Sequence, residues 1–463
     1  MKRFSYIYQT CMLFIICYLL LIGNIQAENE SKKGLWQTIE ILDLTTAQWI
    51  ALAENADFAA STARIGQAIA RKDQAYAAYW PKLNYSMTAT HNDMSDALYE
   101  QQLISAKLVN PLAEIDDPVE NYSLNLSVSY VVFDGFLSKH QFLAAKLGHE
   151  ISKVQHQNAK RLLLQQVANY FFRTQLSREN VAIAQANIDF YQQKLKEAKA
   201  RQDIGSGSLS DALNFQVQLN SAKTTLIQAE ESYQLALLNM ADVLGIPNFS
   251  NTITLAKLED ELLEELKLPD IQNYIDVAFA NRPDILLFEN MVKQAKAQEK
   301  ASLAYNYPFL QINAVYQGDR TDNYQWKEDD FGNTVTAKIT YPIFSGFYYQ
   351  AKIKETRYRL RETEKNWQYI SKKIDTQVRR AITSVKAAQE QVTLQQDNAK
   401  LVRRNRDLVE KEYAAGQNSL VRLNEAQRDL ITAKSRLAAA LVSLHQAWQN
   451  LMAATGEILL AFE

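Results

Sequence analysis

Side chains able to carry acid–base, nucleophilic or metal chemistry are scattered along the sequence. The closest pair among the five histidines on one predicted helix face is His149 and His156, seven residues apart, and such a pair is more often exposed than metal-binding. Glu230 and Glu231 flank a heptad pattern and are typical of a solvated helix face. The sequence contains no phosphate-binding glycine loop, no His-x-x-x-His motif and no nucleophile elbow. We therefore predict a protein that is not an enzyme, binds no cofactor or metal, and depends on a partner for energy.

The composition is that of a folded protein, with 47% hydrophobic and 22% charged residues. Residues 1–27 contain Lys2 and Arg3, an apolar run and a cleavage site ending at Ala27, which together predict a secretory signal peptide. A membrane anchor is the alternative, but the run is shorter than the roughly 20 residues of a spanning helix. Both cysteines lie in this segment, so the mature chain is expected to contain none. Removal of the signal peptide leaves 48 of the 50 basic residues and all 52 acidic ones. Because the mature chain is not basic, no nucleic-acid partner is expected.

A heptad pattern dominates the C-terminal part of the chain. One row with seven-residue spacing is all leucine, and the row three positions on is all alanine: Leu423, Leu430, Leu437, Leu444, Leu451 and Ala426, Ala433, Ala440, Ala447, Ala454. The pattern predicts a continuous helix stripe that packs closely against a neighbouring helix. An ordinary helical bundle would show the same stripe.

The same pattern occurs 211 residues earlier and indicates an internal duplication. The earlier stripe is Ala212, Phe215, Leu219, Ala222, Leu226, Ala229, Tyr233, Ala236, Met240 and Val243. Both copies follow a glycine (Gly205, Gly416) and end at one (Gly245, Gly456), all with the same offset. Before each stripe, about 65 residues without proline predict a helix of roughly 100 Å. Two shorter helices end to end match that length, which predicts an antiparallel rod or tube wall.

Segments before each long helix alternate apolar and polar residues, as β-strands do. They are Leu83 to Ala89, Tyr122 to Val132, Leu310 to Tyr316 and Val335 to Tyr341. Their length and the aromatic residues at their ends are typical of outer-membrane barrels, although a soluble hairpin with one wet face has the same alternation. Four strands are too few to close a barrel, and open edges are not tolerated in lipid. We therefore predict that several chains share one barrel.

These patterns predict a mainly α-helical fold with a small membrane β-barrel part, built from two tandem repeats. Residues 28–43 are expected to form a flexible N-terminus. Repeat 1, residues 44–245, would contain a helix, a hairpin at 83–133, a long helix at 137–204 and a helix at 208–244. A linker at 246–270 would lead to repeat 2, residues 271–463, with a helix, a hairpin at 309–344, a long helix at 347–415 and a helix at 418–455. The longer first hairpin is expected to include a loop containing Pro111 and Pro118.

In this order the segments resemble the TolC family of outer-membrane efflux and secretion channels. The resemblance covers nearly the whole mature chain and rests on four sets of motifs: Ala280-Asn281-Arg282-Pro283-Asp284; the helix–proline–strand junctions Trp80-Pro81 and Tyr307-Pro308; the corners Phe133-Asp134-Gly135 and Phe344-Ser345-Gly346; and Tyr413-Ala414-Ala415-Gly416 followed by Leu423 and Ala426. It implies a homotrimer in the outer membrane of a Gram-negative bacterium, with one twelve-stranded barrel and a periplasmic tunnel of twelve helices. It also implies a periplasmic adaptor (membrane fusion) protein and an inner-membrane pump as partners.

The resemblance assigns roles to residues at the two helix–turn–helix ends. The adaptor-docking tips would be Ile204, Gly205, Ser206, Gly207, Ala415, Gly416 and Gln417. Tyr413 and Asp211 match positions whose polar links close the family's periplasmic entrance, and Asn418 replaces a basic residue. Arg422 and Glu425 occupy a pair that is acidic in the family, so Arg422 reverses one charge. A solvated helix end is the alternative for these gate positions.

Asp211 and Arg422 are separated by the repeat offset and carry opposite charges at the same place in the two copies. Around a trimer they would alternate six times at one level of the tunnel. We hypothesise that Asp211–Arg422 pairs help to hold the entrance shut, with Tyr413 and Glu425 as secondary partners.

Passive exit of small molecules supplied by the pump is the favoured function. Type I protein secretion is the alternative within the same family, because specificity is set mainly by the pump. A secreted structural coiled-coil scaffold is the alternative from a different class, and partition into outer-membrane fractions would distinguish it from a channel.

Overall fold

The computed structural model describes residues 41–247, 254–258, 270–321 and 323–462. The predicted signal peptide, residues 28–40 of the expected flexible N-terminus and most of the predicted linker lie outside the described residues. Residues 41–43 correct the prediction of flexibility. Ile41–Leu42 pairs in parallel with Thr254–Leu255, and Leu42 is only 1% exposed. An apolar side chain that can reach the core orders the segment despite its polar neighbours.

The elements follow one another twice in nearly the same order. The first copy contains β1 (Ile41–Leu42), α1 (Leu44–Glu54), α2 (Ala56–Tyr76), β2 (Lys82–Asn92), α3 (Asp96–Val109), β3 (Val119–Phe133), α4 (Leu137–Asp203) and α5 (Leu209–Leu244). After β4 (Thr254–Leu255), the second contains α6 (Ile271–Asn281), α7 (Pro283–Ser302), β5 (Phe309–Thr321), β6 (Phe331–Thr340), α8 (Tyr348–Ala414), α9 (Leu420–Thr455) and a short 3₁₀ helix at Glu457–Phe462. Helices α4 and α8 each have 67 residues, and α5 and α9 each have 36. The predicted mainly α-helical duplication is confirmed.

Four strands form one antiparallel sheet in the order β2-β3-β5-β6. Tyr85 lies opposite Leu126, and Leu126 lies opposite Tyr316, so apolar residues share one face across the strands. Many of these side chains are exposed, including Leu83, Tyr85 and Val335. Strands β2 and β6 are the two edges of this sheet, and within the described ranges each pairs with a strand on one side only.

The first hairpin contains a helix that the sequence analysis described as a loop. Helix α3 occupies Asp96–Val109 and ends just before Pro111, because the residue preceding a proline disfavours helical geometry. Ser95 at its N-cap position, Asp96 in its first turn and Lys107 in its last turn are the signals that favour it. The prolines therefore follow a helix.

Each long helix begins at a corner with two consecutive left-handed residues. Gly135 and Phe136 have φ angles of 65° and 69°, and Gly346 and Phe347 have φ angles of 61° and 66°. A β-carbon at Gly135 would collide with the carbonyl oxygen of Ala304, whereas the space beside Gly346 is open. The backbone geometry therefore favours glycine in both corners, and close approach to Ala304 requires it in the first.

The short helices are paired end to end, α1 with α2 and α6 with α7. At each junction a side chain caps the C-terminal end of α5 or α9. Asn55, between α1 and α2, donates from Nδ2 to the carbonyl of Val243 at 2.9 Å. At the equivalent break, Arg282 donates from Nη1 to the carbonyl of Ala454 at 3.1 Å. Both interactions satisfy a carbonyl that has no partner within its own helix. The same joint is thus built twice, with an amide in one copy and a guanidinium in the other.

The core follows the predicted seam along α9. Leu423, Leu430, Leu444 and Leu451 are fully buried, the five alanines of the second row are also buried, and Leu437 is half-buried. The part of the seam from Ala440 to Ala454 forms one hydrophobic cluster with residues of α8, including Ile374, Val378 and Val385. On α5 the stripe is buried at both ends and only half-buried from Leu226 to Ala236. No helix within the described ranges is both long and apolar enough to cross a membrane.

Candidate functional site at the helical tips

Two turns at the far end of the long helices contain all seven residues predicted as docking tips. Gly205 and Gly416 have φ angles of 76° and 73°, a conformation that favours glycine. Ser206 donates its N–H to the carbonyl of Arg201 at 2.9 Å, and Gln417 donates its N–H to that of Glu412 at 2.8 Å. These bonds close the ends of α4 and α8. The two turns share one backbone geometry.

The tips are open to solvent. Ile204 presents an exposed apolar side chain, and a β-carbon at Gly205 or Gly416 would meet no atom within 4 Å. The helices that follow are capped by Ser208 and Ser419, whose hydroxyls accept the N–H groups of Ser210 and Arg422. Each tip, or knob, is therefore an exposed turn with a defined backbone geometry, centred on Gly205 or Gly416 between two helices.

Tyr413 and Asp211 meet across the two copies. The Tyr413 hydroxyl donates to Oδ2 of Asp211 at 3.4 Å. Its ring lies edge-on to Phe215, with the ring centroids 6.2 Å apart. Burial, reinforced by the charge of Asp211, raises the pKa of Tyr413, so the hydroxyl keeps its proton at neutral pH. Two of the five predicted gate residues are thus brought together by the fold of one chain.

The other three predicted gate residues make local contacts. Arg422 Nη1 lies 3.4 Å from Oε2 of Glu425, and the two side chains are 53% and 43% exposed. Asn418 donates from Nδ2 to Glu412 at 3.0 Å and accepts the N–H of Ser419. Within the chain, the ion-pair partner of Arg422 is therefore Glu425 rather than Asp211. An exposed pair of this kind contributes only about 0–1 kcal/mol, which leaves Arg422 able to change partner.

A partly buried ionic cluster lies about two to three helical turns behind the tips, and its contacts were not predicted from the sequence. Lys194 of α4 lies 2.8 Å from Glu410 of α8 and 2.9 Å from Glu197, and its side chain is only 7% exposed. Arg406 contacts the other oxygen of Glu410 at 2.6 Å. Both cations also face the ring of Phe190, at 5.8 and 5.5 Å from its centroid. The cluster joins helix α4 of the first copy to helix α8 of the second.

The charges in this cluster stabilise one another. Burial alone would lower the pKa of Lys194, but its hydrogen bonds to Glu410 and Glu197 outweigh burial and raise that pKa. Burial would raise the pKa of Glu410, but Lys194 and Arg406 outweigh it and lower that pKa. Each of these charged residues resembles a solvated heptad flank in the sequence. No local pattern marks the cluster, because Lys194 lies directly beside Leu195 and is not itself part of a heptad row.

A four-stranded sheet at one end of long helical hairpins, with exposed turns at the other end, defines the class of tunnel-forming channel subunits. The chain belongs to the outer membrane efflux protein family, whose model matches residues 50–246 and 274–457. This match confirms the resemblance to TolC-like channels. It identifies a Gram-negative outer-membrane protein with a long periplasmic helical part, and a passive channel rather than an enzyme.

Similar proteins agree with this assignment. The pyoverdine export outer membrane protein OpmQ of Pseudomonas aeruginosa is 22% identical over 91% of this chain and 86% of its own length. The alkaline protease secretion protein AprF of the same organism is 21% identical over 73% of this chain and 70% of its own. The crystal structure of CusC, described in connection with transmembrane channel formation, superposes with a TM-score of 0.76 at 18% identity and covers 92% of this chain and 95% of that one. The fold is therefore shared with solved channels.

Proposed function

We propose that the protein is the exit duct of an export machine and works as a homotrimer. Substrates would be supplied by an inner-membrane pump, handed on through a periplasmic adaptor and released across the outer membrane without further energy input. The observation that carries the proposal is the four-stranded sheet with an exposed apolar face and two open edges.

The sheet supports sharing of one barrel among three chains. Among the described residues, the backbone groups along β2 and β6 have no second neighbouring strand, and lipid offers them no hydrogen-bond partner. Joining β6 of one chain to β2 of the next would satisfy both edges. Three chains would supply twelve strands, above the usual minimum of about eight for a closed membrane barrel.

The tips support docking of an adaptor. Their turns are exposed, preformed and repeated at equivalent places in the two copies, so a trimer would present six similar knobs. The exposed Ile204 offers an apolar contact at the centre of one knob. A partner that recognises a helical hairpin could bind both kinds of tip in the same way.

Export of small molecules is the favoured cargo class. OpmQ, named for export of pyoverdine, is similar along more of the chain than AprF, named for secretion of a protease. Type I protein secretion is the second candidate, and the similarity to AprF is the observation that supports it.

The proposal is tested by assembly and export together. Cross-linking of the protein in detergent should stop at three chains, and a strain lacking the gene should regain export of a small-molecule substrate when the wild-type gene is restored. Gly205→Asp and Gly416→Asp should abolish export while leaving the trimer and its membrane insertion intact. Gly66→Asp is the matched control, because Gly66 is an exposed glycine on α2 with open space around it. A stable monomer, or export that survives both tip substitutions, would contradict the proposal.

A further inference from the structure

A polar cavity lies between α4, α5 and α9, within about five helical turns of the tips. Its volume is about 430 Å³, which is in the size range of small-molecule sites. Amides and hydroxyls dominate the walls that α5 and α9 contribute: Asn214, Gln218, Ser221, Asn424 and Thr432. Asn424 donates from Nδ2 to Oδ1 of Asn214 at 2.9 Å and so joins the two walls. Walls of this kind suit a ligand with many polar groups.

The cavity also contains a buried tyrosine whose hydroxyl is unused. Tyr191 of α4 is only 4% exposed, and its ring belongs to the apolar cluster between the helices. No described residue forms a hydrogen bond with its hydroxyl, although buried tyrosine hydroxyls usually have a partner. Burial raises the pKa of Tyr191, and the charge of Arg428 only opposes that shift, so the hydroxyl keeps its proton at neutral pH. It can therefore donate to a molecule in the cavity.

Arg428 of α9 is the cation of the cavity lining. Within the described ranges its guanidinium forms no ion pair and no hydrogen bond. The one carboxylate among the lining residues, Glu425, lies 3.4 Å from Arg422 instead. Arg428 is close enough to Tyr191 for its charge to act on the phenol. A free cation and a neutral hydrogen-bond donor thus lie at one cavity, and a carboxylate is a group that both can bind.

We propose that this cavity binds a small polyhydroxylated carboxylate, whose charge is held by Arg428 and the Tyr191 hydroxyl and whose own hydroxyls are held by the amides of the walls. Asn424 supplies an acceptor for them, because its Oδ1 is buried and has no hydrogen-bond partner in the part of the chain that the structure describes. The site is formed within one chain and needs no second copy.

The position of the cavity connects it to export. Glu425, one of the predicted gate residues, is also one of its lining residues, so cargo passing the entrance would meet this site. In this respect the inference rests on the proposed export duct and adds a cargo class to it, small hydroxylated organic acids.

Equilibrium dialysis of D-gluconate against the full-length protein in detergent tests the site. Gluconate has one carboxylate and a hydroxyl on each of its other carbons. Sorbitol keeps the hydroxyls without the carboxylate, and hexanoate keeps the carboxylate without the hydroxyls. Gluconate should bind saturably, and each matched probe should bind about tenfold more weakly or less. Absence of saturable gluconate binding, or equal binding of either matched probe, would overturn the proposal.

Two substitutions locate the binding. Tyr191→Phe removes only a hydroxyl that has no partner in the described chain, so the melting temperature should stay unchanged while gluconate affinity falls about tenfold. Tyr233→Phe, at a half-buried tyrosine of α5 outside the cavity, is the matched control and should bind like the wild type. Arg428→Gln should abolish binding and Arg428→Lys should retain part of it, with Arg436→Gln, on the exposed surface of the same helix, as control.

The outcomes separate this site from the duct itself. Wild-type gluconate affinity in Tyr191→Phe or Arg428→Gln would overturn the site, because the carboxylate would then be bound elsewhere. Native mass and export of a small-molecule substrate are measured on the same protein. A trimer that supports export but does not bind gluconate would overturn this inference alone, whereas a stable monomer would overturn the proposed duct.

Discussion

Arg282 shows how much of the architecture can depend on one side chain. Its guanidinium is buried, contacts both oxygens of Asp284 at 2.9 and 2.6 Å, and also bonds Gln377 and the carbonyl of Ala454. Arg161 lies nearby and donates to the carbonyl of Ala453 at 2.8 Å. Burial, together with the charge of Arg282, lowers the pKa of Arg161 to about 10. Both cations sit at the C-terminal end of α9, where the helix dipole is negative.

Replacement of Arg282 by alanine should therefore lower the free energy of unfolding by about 3–5 kcal/mol, the usual cost of breaking a buried ion pair from one side. Asp284 and the end of α9 would lose their partner. Arg379→Ala is the matched control, because Arg379 pairs with Asp375 at 3.1 Å on an exposed helix face, where the cost is about 0–1 kcal/mol. Thermal unfolding of the two variants in detergent measures the difference. Equal losses would show that burial of Arg282 does not matter.

The cluster around Lys194 should make the tips sensitive to acid. Because the pKa of Glu410 is lowered, the stability it contributes is present above its ordinary pKa and is lost as pH falls through the lowered value, below about pH 4.5. The pKa of Lys194 is raised, so the stability that its charge contributes is lost only as the pH rises into strong alkali. Glu410→Gln should cost about 1.5–3 kcal/mol near neutral pH. This loss should shrink toward zero below pH 4.5; a loss that stays constant down to pH 3 would contradict the assignment.

The candidate site was only partly predictable from its residues. Tyr413 and Asp211 were assigned together, and the structure places them in contact. Glu425 was expected to be a secondary partner, yet it is the partner of Arg422 within the chain. Lys194 and Glu410 were missed because their contact joins helices 216 residues apart in sequence. Local spacing predicts neighbours on one helix, whereas contacts between helices depend on how the helices are placed.

At the scale of elements, long repeated patterns predicted the structure best. Heptad spacing and matched glycines located α4, α5, α8 and α9, because a stripe of many residues outweighs any single exception. Shorter sequence patterns did not predict the smaller elements. Helix α3 has only a short, mixed pattern, and Leu42 is a single buried residue beside a polar segment. Such elements are decided by tertiary contacts rather than by periodicity.

The two strand-to-helix corners provide a matched test of backbone strain against close packing. Gly135→Ala and Gly346→Ala both place a β-carbon on a left-handed residue, which costs roughly 1–2 kcal/mol. Only the first substitution also drives that carbon into the carbonyl of Ala304. Gly135→Ala should therefore destabilise the protein clearly more than Gly346→Ala in thermal unfolding. If the two variants have the same melting temperature, the collision is relieved by movement of the 3₁₀ turn Leu303–Asn306, which contains Ala304.

The alanine row of α9 tests the close approach of helices. Ala440→Leu adds a large side chain to a buried site, and overpacking typically costs about 1–3 kcal/mol. Ala433→Leu should behave in the same way. Ala439→Leu is the control, because Ala439 is exposed on the same helix and its substitution changes little. Melting temperature and trimer yield report the effect, and unchanged values for both buried sites would show that the helices are not held close by this row.

For the whole molecule, the important surfaces are those that one chain leaves open. In the proposed homotrimer, the edges of the sheet and the exposed pair Arg422–Glu425 would face neighbouring chains. The duplication makes these surfaces interpretable, since each has an equivalent that is already covered inside the chain. Sequence patterns predict that several chains assemble, because four strands are too few to close a membrane barrel.

At the tips, Asp211 and Arg422 lie at equivalent places in the two copies and carry opposite charges. Asp211 accepts a hydrogen bond from Tyr413, and the guanidinium of Arg422 lies beside the exposed carboxylate of Glu425. In a trimer, we expect Arg422 to pair with Asp211 of the partner subunit, and partial burial at a narrow ring would strengthen that pair beyond the roughly 0–1 kcal/mol of an exposed one. Opening would then be an outward movement of the tips, driven by adaptor contacts that replace these links.

Single-channel conductance in planar bilayers measures the state of this entrance. Asp211→Ala and Arg422→Ala should each raise conductance, because each removes one side of the pair. The exchanged pair, Asp211→Arg with Arg422→Asp, should restore the low value. Glu425→Ala is the matched control: it removes the competing partner of Arg422, so conductance should stay low. If Arg422→Ala conducts like the wild type, or if Glu425→Ala opens the channel as far, the closing link is not between Asp211 and Arg422.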